Sequence, residues 1–207
     1  MQVQKDYAQE LILKAAEDAF LSQGFAKTTM RDISQRSSVG LSNIYNYFEN
    51  KEAIFGALVR PLIDELNLMV DRHHDVKYMD QFVQYLRGNC EELLPRQIED
   101  YLRIIRCYRR QLQLLFFKSQ GSSYGNFISD FTDSCTAQVI SYMDQFGKKY
   151  PEFGFKCSPF TYHLHTVWMF NLLSEVIKYE LDPEETERVI KEYLRFEYIG
   201  WRDLINA

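Results

Sequence analysis

Apolar residues recur at intervals of three and four along most of this chain, without the strict alternation that is typical of strands. The 9 glycines and 5 prolines fall mostly between the periodic segments. This pattern predicts an all-α protein of about nine helices. The expected helices cover approximately residues 4–23, 30–36, 41–47, 51–70, 78–94, 97–119, 123–148, 159–180 and 184–205.

Short-range signals fix the first helix boundaries. Gly24 is a stop for helix one, and Thr29 with Asp32 three residues later has the pattern of a capping box for helix two. Asn50 is an N-cap for helix four, in which Pro61 is expected to cause a kink or a break.

Helices two and three are short and are separated by only a few small residues. Two helices joined by such a turn cross steeply, so the second projects from the surface and can enter a DNA major groove about 12 Å wide. Ile33 and Val39 are expected to pack inside, and Ile44 and Phe48 to anchor helix three. The residues then shared between its outer face and its supports are Leu41, Ser42, Asn43, Tyr45, Asn46 and Tyr47.

The same region resembles the N-terminal domain of the TetR family of transcriptional regulators over roughly residues 9–58. The similarity is carried by ILKAAEDAFLSQGFAKTTMRDIS, by a Val in the turn, and by IYNYFENKEAIF, which is similar to the family's Leu-Tyr-x-Tyr-Phe-x-x-Lys-Glu signature. The resemblance implies a three-helix DNA-binding domain over residues 1–50. It also implies a helical effector-binding and dimerisation domain over residues 51–207.

The resemblance also implies roles for individual residues. Thr28 or Thr29 would bind a phosphate from the start of helix two, and Lys51 would pair with a phosphate from helix four. Tyr45 and Tyr47 would contact the DNA backbone or bases, as would Asn43. Half-buried packing is the alternative for both tyrosines, and a solvated lysine is the alternative for Lys51.

The turn departs from the family pattern. Ser38 replaces the usual glycine, Gly40 replaces a serine N-cap, and Leu41 replaces a frequent polar or basic residue. Glycine is an acceptable N-cap, and a leucine can contact a thymine methyl group. The turn is therefore expected to form, whereas operator preference does not transfer from relatives.

Composition and charge restrict the class of protein. The chain is 46% hydrophobic and 15% aromatic, which argues against disorder, and its formal net charge of −5 argues against non-specific coating of nucleic acid. Residues 157–174 are too polar for a membrane span, and residues 1–24 carry four acids that a secretory signal would lack. We therefore expect a cytoplasmic protein with no membrane partner.

Local charge makes dimerisation a functional requirement. Six basic and six acidic residues occur within residues 1–51, so one copy would bind DNA weakly. Two copies on successive major grooves would double the contacts, which predicts a homodimer on double-stranded DNA with a palindromic operator.

The last two helices are the expected dimer interface. Helix nine is apolar on more than one side, and a second apolar side requires a second partner. The alternative is a helix buried within one chain. The resemblance implies a four-helix bundle built by two subunits, with the interface formed by Leu172, Val176, Leu194, Tyr198, Trp201 and Ile205.

The family usually holds a small-molecule effector among its central helices. Polar groups within apolar stripes are the candidates for such a pocket. They are Arg106, Arg109, Tyr124, Tyr162, His165, Trp168 and Asn171. No cofactor and no metal are expected, because the histidines diverge and no CxxC spacing is present. Cys90, Cys107, Cys135 and Cys157 are expected to be reduced core residues.

The sequence thus predicts a homodimeric, sequence-specific transcriptional regulator that is not an enzyme, and specifically a repressor released by an unidentified effector. Two alternatives remain. One is a helical small-molecule binding protein or enzyme whose N-terminal helix pair is merely structural, and the other is a regulator with a fully packed C-terminal core.

Overall fold

The computed structural model describes residues 2–88, 93–153 and 157–205. Within these ranges the chain forms nine α-helices and no strand, which confirms the all-α prediction. The helices are α1 Gln2–Lys27, α2 Met30–Ser37, α3 Leu41–Ile44, α4 Lys51–His73, α5 Met79–Leu86, α6 Leu93–Gln113, α7 Phe127–Lys149, α8 Pro159–Lys178 and α9 Pro183–Ile205. In the described part of the chain, none of them is long and apolar enough to cross a membrane.

Several boundaries differ from the predicted ones. Hydrogen bonding continues past Gly24, although Gly24 itself is non-helical at φ 80° and ψ 164°. Pro61 lies inside a continuous α4, and α3 is only four residues long. Helix α6 continues into a π-helical turn at Leu114–Lys118. The predicted end of helix five falls partly on residues 89–92, outside the described ranges.

The capping box at the start of α2 is present as predicted. The Asp32 backbone N–H donates to Thr29 Oγ1 at 3.2 Å, and the Thr29 backbone N–H donates to Asp32 Oδ2 at 2.8 Å. The backbone and side-chain hydrogen bonds from Thr29 lower the pKa of Asp32. Thr29 and Asp32 therefore stabilise the start of α2, the first helix of the helix-turn-helix.

Replacing Thr29 by alanine should lower the free energy of unfolding by about 1 kcal/mol, the usual cost of losing an N-cap hydroxyl. The side chain is exposed, so little packing is lost with it. Urea unfolding followed by circular dichroism measures the change. Thr29→Ser keeps the hydroxyl and should remain close to the wild type. Equal stability of the alanine variant and the wild type would contradict this assignment.

The chain divides into two compact units. Residues 1–64 and 108–127 form unit 1, and residues 65–107 and 128–207 form unit 2. Helix α4 continues from one unit to the other, and α6 crosses the boundary at Tyr108, which has non-helical backbone angles. The boundaries of these units differ from the predicted domain boundary at residue 50. The predicted division separates a DNA-binding from an effector-binding region, and it stays a prediction.

Aromatic side chains build the core of unit 1. Phe20, Phe25 and Phe55 lie within 5.7 Å of one another by ring centroids, and Tyr124 lies 5.8 Å from Phe55. On α1 the fully buried positions are Ile12, Ala16, Ala19 and Phe20. This core packs α1 against α4, the helices that precede and follow the helix-turn-helix of α2 and α3 in the sequence.

Unit 2 has its own apolar cluster, formed by residues of α5, α7 and α9 and by Phe153 after α7. Its members are Met79, Val83, Leu86, Tyr142, Phe146, Phe153 and Ile205. Of the cysteines, Cys135 is buried and burial raises the pKa of its thiol to about 12. Cys107 is exposed, so its predicted place in the core is wrong, and Cys90 lies outside the described residues.

Candidate functional site

The turn between α2 and α3 is held by its own serines. Ser38 adopts the left-handed conformation at φ 57° and ends α2. Ser34 Oγ donates to the Val39 carbonyl at 2.7 Å, and Val39 N–H donates to Ser37 Oγ at 3.2 Å. Val39 is buried, as are Ile33 and Ile44. Serine hydroxyls thus stabilise the turn.

Helix α3 and the hydrogen-bonded turn that follows it, residues 45–48, are anchored on one side and open on the other. Ile44 and Phe48 are buried, as predicted. Leu41 and Tyr47 are half-buried, whereas Ser42, Asn43, Tyr45 and Asn46 are exposed. Among the exposed side chains, Asn46 Nδ2 donates to Asn43 Oδ1 at 3.2 Å. The open side thus presents hydroxyl, amide and phenol groups, which can bond to phosphates and base edges.

The structure separates the two candidate threonines. Thr28 is fully buried, and its hydroxyl donates to the Gly24 carbonyl at 2.8 Å. It is therefore not placed to contact a phosphate. Thr29 is exposed, and its hydroxyl donates to Asp32 Oδ2 at 2.8 Å in addition to capping α2. Of the pair, Thr29 is the residue that DNA could reach.

The Lys51 side chain bonds to backbone carbonyls of its own chain, a role that differs from the predicted phosphate contact. Its ammonium donates to the Phe25 carbonyl at 2.8 Å and to the Thr28 carbonyl at 2.9 Å. It also lies 4.2 Å from the centroid of the Phe25 ring. A cation at this point satisfies carbonyls at the end of α1, so Lys51 joins the start of α4 to the end of α1.

A cavity of about 160 Å³ lies within unit 2. Its wall includes many aromatic side chains and three of the four histidines of the chain, His73, His74 and His165. Burial, followed by the charges of His73 and His165, lowers the pKa of His74 from 6.5 to about 4. His74 is therefore neutral at pH 7. In the part of the chain that the structure describes, no group of His, Cys, Asp or Glu is arranged to hold a metal ion.

Two ionic groups lie at different parts of this wall. Asp100 bonds to Arg72 at 3.0 Å and lies 3.3 Å from His73 Nε2. Desolvation on its own raises the pKa of Asp100. The hydrogen bond with His73 and the positive charge of Arg72 act in the opposite direction, and the pKa is lowered overall. Glu197 lies elsewhere on the wall, 2.9 Å from His165 Nδ1. The cavity thus carries one carboxylate held by arginine and another held by histidine.

The predicted pocket residues divide into two groups. Tyr162 and His165 line the cavity, and burial raises the pKa of Tyr162 to about 12. The others lie elsewhere. Tyr124 packs on Phe55 in unit 1, and Arg106 is exposed with Glu99 at 3.6 Å. The remaining residues outside the lining are Arg109, Trp168 and Asn171.

The predicted dimer residues also need correction. Val176, Leu194 and Ile205 are buried within the subunit at 1–3% exposure, so a partner could not reach them. Tyr198 and Trp201 line the cavity together with Leu194 and Ile205, and Leu172 is half-buried. The residues assigned to the dimer face therefore form much of the cavity wall and core instead.

A different apolar stripe is exposed on the last two helices. It consists of Phe160, Leu164 and Trp168 on α8 and of Phe196, Ile199 and Leu204 on α9, which are 40–66% exposed. The pairs Tyr162–Trp201 and His165–Glu197 show that α8 and α9 run antiparallel. Periodicity marked both faces of α9 as apolar, but it did not indicate which one turns inward.

Glu197 is one of the cavity residues that the sequence pattern missed, as are Arg72, His74 and Asp100. Glu197 lies one helical turn from Tyr193 and from Trp201 on α9. The cavity residues Leu194, Tyr198 and Ile205 recur on the same helix at intervals of three or four residues, together with Trp201. An acid on an otherwise apolar helix face was the available signal. It was hidden because α9 carries many other charged residues, among them Lys191, Glu192 and Arg195.

Comparisons with known proteins agree with this architecture. The sequence profile of the family described as "Bacterial regulatory proteins, tetR family" matches residues 12–58. YfiR, an uncharacterized HTH-type transcriptional regulator of Bacillus subtilis, is 32% identical over 103 residues. That match covers 46% of this chain and 50% of YfiR. The HTH-type transcriptional regulator TtgR of Pseudomonas putida is 41% identical over 66 residues, or 30% of each chain. The chain thus spans about half, or less, of the length of these relatives.

Solved structures extend the likeness of fold over almost the whole chain. A TetR-family transcriptional regulator of Syntrophomonas wolfei superposes with a TM-score of 0.56 at 16% identity, covering 95% of this chain and 97% of its own. NalD of Pseudomonas aeruginosa, the secondary repressor of the MexAB-OprM multidrug efflux pump, gives 0.54 at 15% identity, over 92% and 95%. Residues 12–58, which include the capped helix-turn-helix, thus carry the N-terminal segment of the TetR family, and the chain shares its fold with solved TetR-family regulators.

Proposed function

We propose that this protein is a DNA-binding transcriptional regulator, specifically a repressor that binds a palindromic operator as a homodimer and leaves it when a small molecule occupies the cavity. The exposed side of α3, on a helix-turn-helix whose anchors Ile33, Val39 and Ile44 are buried, is the observation that carries the proposal. The relatives, named as transcriptional regulators, and the repressor NalD support it.

Side-chain exposure suggests which residues of α3 and the following turn contact bases and which contact phosphates. Asn43 and Asn46 carry amides, which can form paired hydrogen bonds to an adenine edge, and Tyr45 and Ser42 carry hydroxyls for phosphates. Leu41 and Tyr47 are half-buried, so each offers part of its side chain to the groove. Thr29 is the phosphate contact that we assign to the start of α2.

The charge of the DNA-binding region explains the need for two copies. Its six bases are balanced by six acids within residues 1–51, so phosphate attraction from one copy is weak. A symmetric dimer places two α3 helices about one turn of DNA apart and doubles the contacts. The operator we expect is therefore a palindrome.

The exposed stripe on α8 and α9 is the dimer face that we propose. Six large apolar side chains on two adjacent helices are exposed together, and such a face is favourably buried by a second copy. Gly200 lies among them, and a methyl group there would meet no described atom of its own chain within 4 Å. A partner helix could thus approach closely at this point.

The cavity is the effector site in this proposal, and α4 is the proposed transmitter. Its first residue, Lys51, bonds to the end of α1 in unit 1, whereas Val70, Arg72 and His73 line the cavity in unit 2. One continuous helix thus contributes to both places. An effector that prefers one conformation of α4 would shift the population away from the DNA-binding state.

Selection of duplexes from a random DNA pool at near-physiological salt tests DNA recognition. The wild type and Tyr7→Ala, whose residue is 63% exposed on α1, should enrich the same palindrome. Tyr45→Ala should weaken binding through loss of a phosphate contact. Tyr47→Ala should weaken it through loss of a contact in the groove, where a lost base contact costs about 1–3 kcal/mol. If none of the proteins enriches a sequence, the regulator proposal fails. The cavity would then favour a small-molecule binding protein with a structural helix pair.

A further inference from the structure

Glu197 places a buried carboxylate in the cavity wall. Its side chain is 7% exposed. Tyr193 Oη donates to Oε1 at 2.9 Å, and His165 Nδ1 lies 2.9 Å from the same oxygen. Both contacts are therefore made at Oε1.

No arginine or lysine of the described residues forms an ion pair with this carboxylate. Two arginines do line the cavity, but both are engaged elsewhere. Arg72 bonds to Asp100 at 3.0 Å and to Glu65 at 3.4 Å, and the Arg96 guanidinium lies 5.0 Å from the centroid of the Tyr78 ring. The described partners of this buried carboxylate are the His165 imidazole and the Tyr193 hydroxyl. A bound cation would stabilise it further.

The wall next to Glu197 is aromatic. Trp201 and Tyr162 stack with ring centroids 5.9 Å apart and planes at 8°, and the His165 ring meets Trp201 at 5.1 Å. Burial, and then the Glu197 charge, raise the pKa of Tyr193, so this tyrosine remains neutral. Aromatic faces beside a carboxylate attract cations, because ring quadrupole and charge act in the same direction.

The size of the cavity limits the ligand. An engineered cavity of about 150 Å³ admits benzene, and this one measures about 160 Å³. A ligand of one substituted ring therefore fits, whereas a large polycyclic compound would require the wall to move.

We infer that the cavity binds a small aromatic cation, whose positive charge lies beside Glu197 and whose ring lies against Tyr162 and Trp201. This inference deepens the proposed function and rests on it for the link between binding and release from DNA. It assigns ligand selectivity to Glu197, and it assigns to His165 and Tyr193 the positioning of that carboxylate.

Calorimetric titration with benzyltrimethylammonium tests the inference, because neopentylbenzene is its uncharged isostere with carbon in place of nitrogen. The full-length wild-type protein should bind the cation at least about tenfold more tightly, equivalent to about 1.4 kcal/mol. The Glu197→Gln variant should lose this preference. It should still bind neopentylbenzene as the wild type does, which shows that its cavity is intact.

Three results would overturn the inference. They are equal binding of both probes by the wild type, an unchanged preference in Glu197→Gln, and no binding of either probe by the folded protein. The duplex selection described above separates this failure from failure of the proposed function. Enrichment of a palindrome without cation binding removes only the cation site. Cation binding without any enriched sequence leaves the site in place and removes the regulator.

Discussion

Trp168→Arg should dissociate the dimer and remove most operator binding. Trp168 is a 53% exposed aromatic residue of the proposed α8–α9 dimer face. Loss of an aromatic anchor at an interface costs about 2 kcal/mol or more. In a two-fold interface the change occurs twice, and the two new charges come close to each other. The loss in the dimerisation constant should therefore exceed about 30-fold.

Sedimentation velocity over a range of protein concentrations measures this dissociation, and operator affinity is measured in parallel. Val76→Arg is the matched control, because Val76 is 43% exposed and lies outside the α8–α9 stripe. This control should remain dimeric. A dimeric Trp168→Arg protein would place the interface elsewhere, and a monomeric wild type would remove the dimer from the proposal.

Phe55→Ala should lower the free energy of unfolding by about 3–5 kcal/mol, the usual range for a buried phenylalanine. Phe55 is fully buried and its ring meets those of Phe20, Phe25 and Tyr124. Removing it leaves a void between α1 and α4, the helices that Lys51 joins. Operator affinity should fall as well, because the support of α2 and α3 is loosened.

Urea denaturation gives the stability change from the shift in midpoint at constant slope. Tyr7→Ala, which removes an exposed aromatic from α1, should change stability by less than about 0.5 kcal/mol. A loss for Phe55→Ala no larger than that of the control would mean that unit 1 does not depend on this aromatic core.

The capping box of α2 and the anchors of α3 could be predicted because they depend on local sequence. Thr29 and Asp32 are three residues apart, and Ile44 and Phe48 are four apart, so helical geometry alone places them. The all-α class followed in the same way from periodicity. Family resemblance then indicated a DNA-reading role that geometry by itself would not distinguish from a structural elbow.

The rest depended on packing between distant segments. Lys51 was assigned to a phosphate, yet its ammonium bonds to carbonyls of residues more than twenty positions earlier in the chain. On α9 the inward face carries Leu194 and Ile205 and the outward face carries Phe196 and Leu204. Both faces are apolar, so hydropathy could not indicate which one covers the core.

The open side of α3 also separates recognition from folding. Ser42, Asn43 and Tyr45 are exposed, while the adjacent Ile44 is fully buried in the support of the elbow. Substitutions on the open side leave that support unchanged, so a gene copy could acquire a new operator preference stepwise while each intermediate remains folded. Ser42, Asn43 and Tyr45 can therefore change between descendants of one gene, whereas a change at the buried Ile44 would destabilise the fold.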